Sequence, residues 1–240
     1  MDELSFHRAF ARPGLVLDIG AHDGLLTLPL AALPGSHVHA FEPLPAAYAR
    51  LERAVAGHDR NITLHQIALG NAADDIALDV PHVGGVAQEQ WASVAKDYAA
   101  IRRDDPRVDV IDRFTVRQRR IDDLGLGDIT AIKLDVEGAE EEVIRGGQKT
   151  IRRCHPVMTV EIEERHRVGS TRDVPMLLAG LGLCGFFELA GMWHAVETFD
   201  ATALQRASPS PANFTASDPY VFIFYFVPQS LRTTLLAMRL

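Results

Sequence analysis

The chain has little cysteine, no excess of positive charge and no long apolar run. Only two of its 240 residues are cysteines, so neither a disulfide framework nor a cysteine zinc site is indicated. Acidic residues outnumber lysine and arginine by 32 to 24, and the net charge of −8 argues against a polyanion-binding surface. The longest apolar run, 221–227, is far shorter than a bilayer span. We therefore expect no nucleic-acid partner and no membrane partner.

The first residues, Met1–Ser5, lack a basic head followed by an apolar block, which is the pattern of a secretory leader. Together with the scarcity of cysteine, this predicts a soluble protein of the reducing cytoplasm. The hydrophobic fraction of 47% is ample for a buried core. No repeat and no interdomain linker is visible, so we predict one domain over residues 1–240.

Short apolar runs alternate with helix-forming segments along most of the chain. This alternation predicts an α/β fold with a mostly parallel sheet covered on both faces. The last two predicted strands have no helix between them, which predicts an antiparallel edge strand. Pro29 lies inside the first predicted helix and should kink or shorten it. The pattern predicts strands at 15–19, 37–41, 61–69, 129–136, 157–162, 186–189 and 220–227, and helices at 25–33, 45–56, 139–152 and 174–183.

A segment at about 71–126 is too long for a simple connection between neighbouring strands. Within it, 76–80 and 108–116 are typical of extra strands. Trp91, Val94, Ala95, Tyr98 and Ile101 fall at helical spacing and predict an amphipathic helix. We expect residues 82–107 to cover the substrate site, with Trp91 as a substrate-binding residue and 84–85 as a glycine hinge. The alternative is that this stripe packs on the domain or on a second subunit.

A glycine-containing loop follows the first predicted strand, where open α/β sheets bind ligands. Asp18 stands where a dinucleotide fingerprint would have glycine, and it would repel phosphate but suit an ammonium or sulfonium group. Gly20 would allow close approach to a ligand, and Gly24 would let the helix start against the strand. Glu42 follows the second strand, where a carboxylate can bind both ribose hydroxyls. These features predict an adenosine-containing ligand without a diphosphate, such as S-adenosylmethionine (SAM); a simple tight turn and a solvated carboxylate are the alternative.

Three blocks of the chain resemble the FkbM-type methyltransferases of the class I SAM-dependent fold: Val16–Ala21, Ala40–Pro45 and Lys133–Glu140. The resemblance covers about 15–166 and resumes at 220–228. It implies a Rossmann-like sheet of about seven strands with SAM bound across the first two strand ends. It also implies methyl transfer from SAM, usually to a hydroxyl oxygen of a sugar or a natural product.

The chain departs from the family pattern at two positions. His22 stands where the family usually has asparagine, and Ile223 stands where asparagine is expected in the final strand. We nevertheless assign His22 to the cofactor site, together with Ala68 at the end of the third predicted strand.

Carboxylates and one histidine follow the fourth and fifth predicted strands. Asp135 and Glu137 lie at the carboxyl end of a central strand, and we predict that they act in catalysis, with His166 as a further candidate base. Glu161 and Glu163 should point the same way on the next strand end, and we assign them to acceptor binding. Such a cluster could instead bind a divalent metal, but no octahedral ligand set is indicated by the spacing, and we expect no metal.

Two rival functions remain open from the sequence. A nicotinamide-dependent oxidoreductase shares the architecture and the acidic residue after the second strand, although Asp18 counts against it. A non-catalytic SAM-binding protein would keep the fold without turnover. An amphipathic terminal stripe at Leu231, Leu235 and Met238 could pack on its own chain or form a homodimer.

Overall fold

An eight-stranded β-sheet forms the centre of the molecule. The structure is a computed structural model that describes residues 1–58, 61–94, 96, 98, 107–205 and 220–238. The strands of this sheet are β1 (Gly14–Ile19), β2 (Ser36–Phe41), β3 (Ile62–His65), β8 (Ile129–Leu134), β9 (Val157–Glu161), β10 (Leu183–Leu189), β11 (Met192–Ala195) and β12 (Ile223–Pro228). They lie in the order β11-β10-β12-β9-β8-β1-β2-β3. The five strands from β9 to β3 are all parallel, as the alternation in the sequence predicts.

Helices lie between most of these strands. The α-helices in the described ranges are α1 (Glu3–Ala9), α2 (Thr27–Ala31), α3 (Pro45–Val55), α4 (Glu140–Gly146), α5 (Gln148–Cys154), α6 (Ser170–Ala179), α7 (Ala201–Leu204) and α8 (Arg232–Leu236). The first helix after β1 spans only five residues and contains Pro29, in agreement with its expected shortening. In the described ranges, no helix combines the length and the apolar character needed to cross a bilayer.

Both faces of the sheet are buried. Leu17 and Ile19 of β1 belong to one hydrophobic core, whereas Val16 belongs to a second core. Alternating residues of a strand point to opposite faces, so a strand that supplies both cores is buried on both sides. This is why β8 is buried along its whole length.

The antiparallel part of the sheet differs from the expected single edge strand. Strand β12 lies inside the sheet, antiparallel to both β9 and β10. The edge is β11, which pairs with β10 through a tight hairpin. Ala190 and Gly191 form the turn with φ of 52° and 77°, and two positive φ values suit the twist of a short hairpin. Alanine is an unusual residue for such a turn, so β11 was not predicted. The expected count of about seven strands is therefore lower than the eight strands of this sheet.

The insertion forms a second, four-stranded sheet in the order β4-β7-β5-β6. Its strands are β4 (Ala68–Leu69), β5 (Asp75–Val83), β6 (Val86–Ala87) and β7 (Val108–Arg119). A third hydrophobic core joins Leu78, Val80 and Val116 of this sheet to Leu44 and Ala47 at the start of α3. The two extra strands expected in the insertion are therefore present. They pack against the start of α3, beside the carboxyl end of β2.

Three predicted elements are wrong in detail. The third strand, 61–69, is divided between β3 and β4, which belong to different sheets. The helix expected at 139–152 is interrupted at Gly147, where a Cβ atom would lie 2.9 Å from the Ile121 side chain. The helix expected from Trp91 begins instead as a 3₁₀ turn, Glu89–Trp91, and Ser93 forms a β-bridge with Asp79. Ala95 and Ile101 of that predicted helix lie outside the described residues.

Candidate functional site

A cavity of about 380 Å³ opens at the carboxyl ends of β1, β2 and β8. This volume lies within the range of small-molecule sites, and the position is where open parallel sheets bind ligands. Four predicted site residues do not line it: Gly24, Glu161, Glu163 and His166. The predicted residues that do line it are Asp18, Gly20, His22, Glu42, Ala68, Trp91, Asp135 and Glu137.

Asp18 lies at the end of β1 and is 1% exposed. Its Oδ2 atom accepts a hydrogen bond of 2.6 Å from the hydroxyl of Thr27, but its Oδ1 atom has no hydrogen-bond partner among the described residues. The Lys133 ammonium is 3.7 Å from Oδ1, which is beyond hydrogen-bond distance. A buried carboxylate oxygen without a donor is costly, so this oxygen is a ready acceptor for a cationic ligand group.

Gly20 is required by the packing of two loops against each other. It has a φ of 78°, and a Cβ atom at this position would lie 1.7 Å from the carbonyl oxygen of Asp135. We expected Gly20 to allow the close approach of a ligand. The group that lies close to Gly20 is instead the turn after β8. Gly24, with a φ of 87°, is packed against Leu51 of α3, where a Cβ atom would lie 2.8 Å from Cδ1.

Glu42 is held at the edge of the cavity by two backbone donors. The amide of His22 donates to Oε2 at 2.9 Å, and the amide of Leu44 donates to Oε1 at 2.8 Å. Burial raises the pKa of Glu42, and these two hydrogen bonds oppose that effect. Each carboxylate oxygen can accept a further hydrogen bond, so Glu42 is fixed in place and still able to bind a ligand.

His22 adopts a backbone conformation that explains the unusual residue there. Its φ is 50°, in the left-handed region. Asparagine and histidine both enter this region more readily than most residues, so histidine can replace the asparagine expected from the resemblance without changing the loop.

Lys133 is a residue of the cavity lining that the sequence analysis did not predict. Its ammonium donates a 2.6 Å hydrogen bond to the Gly20 carbonyl and lies 3.5 Å from the Asp135 carboxylate. Burial disfavours its charged form, but Asp135 and Asp18 outweigh that effect and raise its pKa. A lysine in an otherwise apolar central strand was the available signal, because a buried lysine requires acidic partners.

Glu137 is placed by a strained turn after β8. Its φ is 55°, which a glutamate rarely adopts, and such strain is concentrated at functional sites. Its side chain is 16% exposed and lines the cavity. Burial raises the pKa of Glu137 to about 7, although the Lys96 ammonium beside it lowers the pKa. A carboxylate with a pKa near neutrality is suited to accept a proton.

His166 lies behind Glu137, away from the cavity lining. Its Nε2 atom is 3.1 Å from Oε2 of Glu137 and 3.2 Å from Oε1 of Glu163. Burial lowers the pKa of His166 to about 3, so the ring is neutral at neutral pH. Arg165 donates two hydrogen bonds of 2.7 Å to Glu163, and Tyr220 donates a third. Although burial opposes ionisation, these donors lower the pKa of Glu163.

Glu161 adjoins the same group and is surrounded by like charges. Burial and the carboxylates of Asp135 and Glu137 raise the pKa of Glu161, which favours its protonated form. One ligand atom each from Glu137, Glu161 and His166 lie within 4.8 Å of one another. Among the described residues, this is the group that could hold a metal ion. Lys96 and Arg165 already supply positive charge beside Glu137 and Glu163.

The insertion and the first helix add further residues to the site. Lys96 forms an ion pair with Glu137, and the hydroxyl of Ser93 donates to the Glu137 carbonyl at 2.7 Å. Glu3 of α1 also lines the cavity, and burial raises its pKa. Neither Lys96 nor Glu3 stands in a motif, and only the tertiary structure shows that they reach the carboxylates after β8.

Comparisons with known proteins identify the fold and the family of this arrangement. Residues 18–187 match the model of the methyltransferase FkbM domain. A 2-O-methyltransferase, NoeI of Sinorhizobium fredii, is 30% identical over 158 residues, which are 60% of this chain and 62% of that protein. Methyltransferase 1 of Beauveria bassiana is 26% identical over 148 residues, 57% of this chain and 59% of that protein. The chain thus spans about three fifths of the length of these curated relatives.

A solved structure shares the overall fold. The crystal structure of methyltransferase FkbM from Methylobacillus flagellatus superposes with a TM-score of 0.53 at 16% sequence identity, covering 93% of this chain and 50% of that chain.

Proposed function

Since the chain belongs to the FkbM methyltransferase family, we propose that it transfers a methyl group from SAM to a hydroxyl oxygen of a sugar or natural-product small molecule. The observation that carries the proposal is the buried Oδ1 atom of Asp18, which lacks a hydrogen-bond donor in the part of the chain that the structure describes. The acidic character of the cavity is unfavourable for a diphosphate and favourable for a ligand with a cationic end.

The residues present fit SAM. Asp18 would bind its ammonium group, Glu42 would accept hydrogen bonds from its ribose hydroxyls, and Ala68 would line the adenosine side. When bound, SAM supplies an electrophilic methyl group on a positively charged sulfur. Lys133 balances the charge of Asp18 and Asp135, so the carboxylates orient the cofactor without holding its cationic ground state too tightly.

An alcohol must lose its proton as its oxygen attacks the methyl carbon. Glu137 lines the cavity and has a pKa near 7, so it is the residue that would accept this proton. Neutral His166 would position Glu137 by donating its Nε2 hydrogen to the carboxylate. Oxygen as the accepting atom is further supported by the name of the NoeI relative, which specifies 2-O-methyl transfer.

Two measurements test the proposal. We expect calorimetry to show binding of SAM and of S-adenosylhomocysteine (SAH) but no comparable binding of NAD, and Asp18→Asn to weaken both by about tenfold or more. We also expect transfer of labelled methyl from SAM to members of a panel of hydroxylated acceptors. Binding of NAD in place of SAM would favour an oxidoreductase, and SAM binding without transfer to any acceptor would favour a non-catalytic protein.

A further inference from the structure

Residues Glu89–Val94 together with Lys96, here called the strap, extend along the cavity and are fixed at both ends. At one end Arg50 of α3 donates to the Glu89 carboxylate. The same Nη2 atom of Arg50 lies 3.4 Å from Nε2 of His22. Because the amide of His22 holds Glu42, this end of the strap is attached to the half of the cavity that would hold the ribose.

The other end of the strap is attached to the turn after β8. The Lys96 ammonium donates to the Glu137 carboxylate. The hydroxyl of Ser93 donates to the Glu137 carbonyl and accepts from the Lys96 amide at 3.2 Å. The Lys96 side chain is only 9% exposed, so this ion pair is largely withdrawn from water.

Between these ends, Gln90, Trp91 and Ala92 line the cavity. Backbone hydrogen bonds between Ser93 and Asp79 tie the strap to β5, and the Tyr98 hydroxyl donates to the Trp91 carbonyl. The strap thus reaches from the Glu42 half of the cavity to the Glu137 half, which is the length that the cofactor would occupy.

We propose that the strap is part of the cofactor site: Trp91 contacts the bound cofactor, and the Arg50–Glu89 and Lys96–Glu137 ion pairs hold the strap over it. This inference rests on the proposed function, since it takes SAM as the ligand of the cavity. It assigns Trp91 to the cofactor, whereas the sequence suggested a role toward the acceptor. Release of the cofactor then requires one of the two ion pairs to open.

The two ion pairs should contribute unequally. Side chains of the Arg50–Glu89 pair are 35% and 26% exposed, and those of the Lys96–Glu137 pair are 9% and 16% exposed. Solvent weakens the first pair more than the second. We therefore expect Glu89→Gln to accelerate cofactor dissociation about threefold and Lys96→Met to accelerate it about tenfold.

SAH is the better probe for this test because its sulfur is uncharged. Removal of Lys96 leaves more negative charge near the sulfur and could strengthen the binding of SAM through attraction alone.

The chain has two tryptophans, so a Trp193→Phe background leaves Trp91 as the single tryptophan reporter. Stopped-flow fluorescence in this background measures SAH dissociation directly, and calorimetry measures SAH affinity for Trp91→Ala, which should weaken binding about tenfold.

Arg12→Gln is the control, because it breaks an exposed ion pair with Asp128 and touches neither the strap nor its anchoring residues. It should leave SAH dissociation unchanged. Lys96→Arg should largely restore the slow dissociation of wild type if Lys96→Met accelerates it.

The proposal is overturned if wild-type protein binds SAH while Glu89→Gln, Lys96→Met and Trp91→Ala, with unchanged melting temperatures, bind and release it like wild type. A wild-type protein that binds neither SAM nor SAH would overturn the proposed function as well.

Discussion

Oε2 of Glu137 and Nε2 of His166 are 3.1 Å apart. Only Glu137 of this pair lines the cavity, whereas His166 is buried behind it and also contacts Glu163. An acceptor in the cavity would therefore meet the carboxylate and not the imidazole. Glu137 and His166, two of the candidate bases that the sequence suggested, are therefore neighbours, and we propose that Glu137 accepts the proton while His166 orients it.

The first prediction concerns Glu137. A positioned general base contributes about 10²–10⁴-fold to the rate, so Glu137→Gln should lower kcat by that order. The variant also breaks the ion pair with Lys96, so it should speed SAH release as Lys96→Met does. The base acts in its deprotonated form, and its pKa is about 7, so kcat/KM should rise with pH and level off above that value. A pH–rate profile with an identified acceptor measures both effects. If Glu137→Gln retained full turnover, Asp135 would become the candidate base.

A companion variant checks the origin of this pH dependence. Lys96 lowers the pKa of Glu137, so Lys96→Met should move the rising limb of the profile to higher pH. Arg12→Gln, which breaks the exposed ion pair with Asp128 and does not contact Glu137 or Lys96, should leave the limb in place. An unchanged limb in Lys96→Met would show that another group controls the rate.

The second prediction concerns Glu42. Loss of hydrogen bonds to a charged acceptor costs about 1.5–3 kcal/mol, so Glu42→Ala should weaken SAM binding by roughly ten- to a hundredfold. Calorimetry measures this, with Glu52→Gln on the exposed face of α3 as the control. Because Glu42 also accepts from the His22 and Leu44 amides, near-native melting of the variant must be verified first. Unchanged affinity in a folded variant would contradict the ribose assignment.

The third prediction concerns metal ions. We expect turnover to survive treatment with a chelator, because Lys96 and Arg165 already balance Glu137 and Glu163. Loss of activity on chelation with recovery on added magnesium would instead support a metal held by Glu137, Glu161 and His166.

The fourth prediction concerns stability. His7 of α1 is 1% exposed, and burial lowers its pKa from 6.5 to about 4. The folded state therefore favours the neutral ring, and the stabilisation present above pH 6.5 is lost as the pH falls toward 4. This corresponds to roughly 3 kcal/mol of unfolding free energy. Urea unfolding at pH 7 and pH 4 should show a smaller pH effect in His7→Gln than in wild type, with exposed His58→Gln behaving like wild type.

Much of the fold could be predicted because its signals are local. The alternation of apolar runs and helices, and the block Lys133–Glu140, led to the family and the fold class that the comparisons confirm. The division of 61–69 into β3 and β4 could not be predicted, since one apolar segment supplies strands to two sheets. The hairpin at Ala190 was missed because its turn lacks the usual residues.

Part of the candidate site was predictable for the same reason. The carboxyl ends of parallel neighbouring strands meet at one edge of a sheet. The acidic residues at the ends of three such strands are Asp18, Glu42, Asp135 and Glu137. The sequence placed them correctly beside one cavity, although their roles stay predictions. Glu3 lines the same cavity and Lys96 pairs with Glu137 beside it, both from distant parts of the chain, and no local pattern reports such contacts.

The contact between Gly20 and the Asp135 carbonyl also limits how this protein could be re-engineered. No side chain fits between the two loops, and the amide of Asp135 donates to the Ile19 carbonyl at 3.1 Å on the other side of that contact. Randomising Gly20 in a library for new acceptors would yield mainly misfolded clones. Diversity is better introduced at side chains that line the same cavity without supporting this contact, such as Glu3 of α1 and the exposed Leu25.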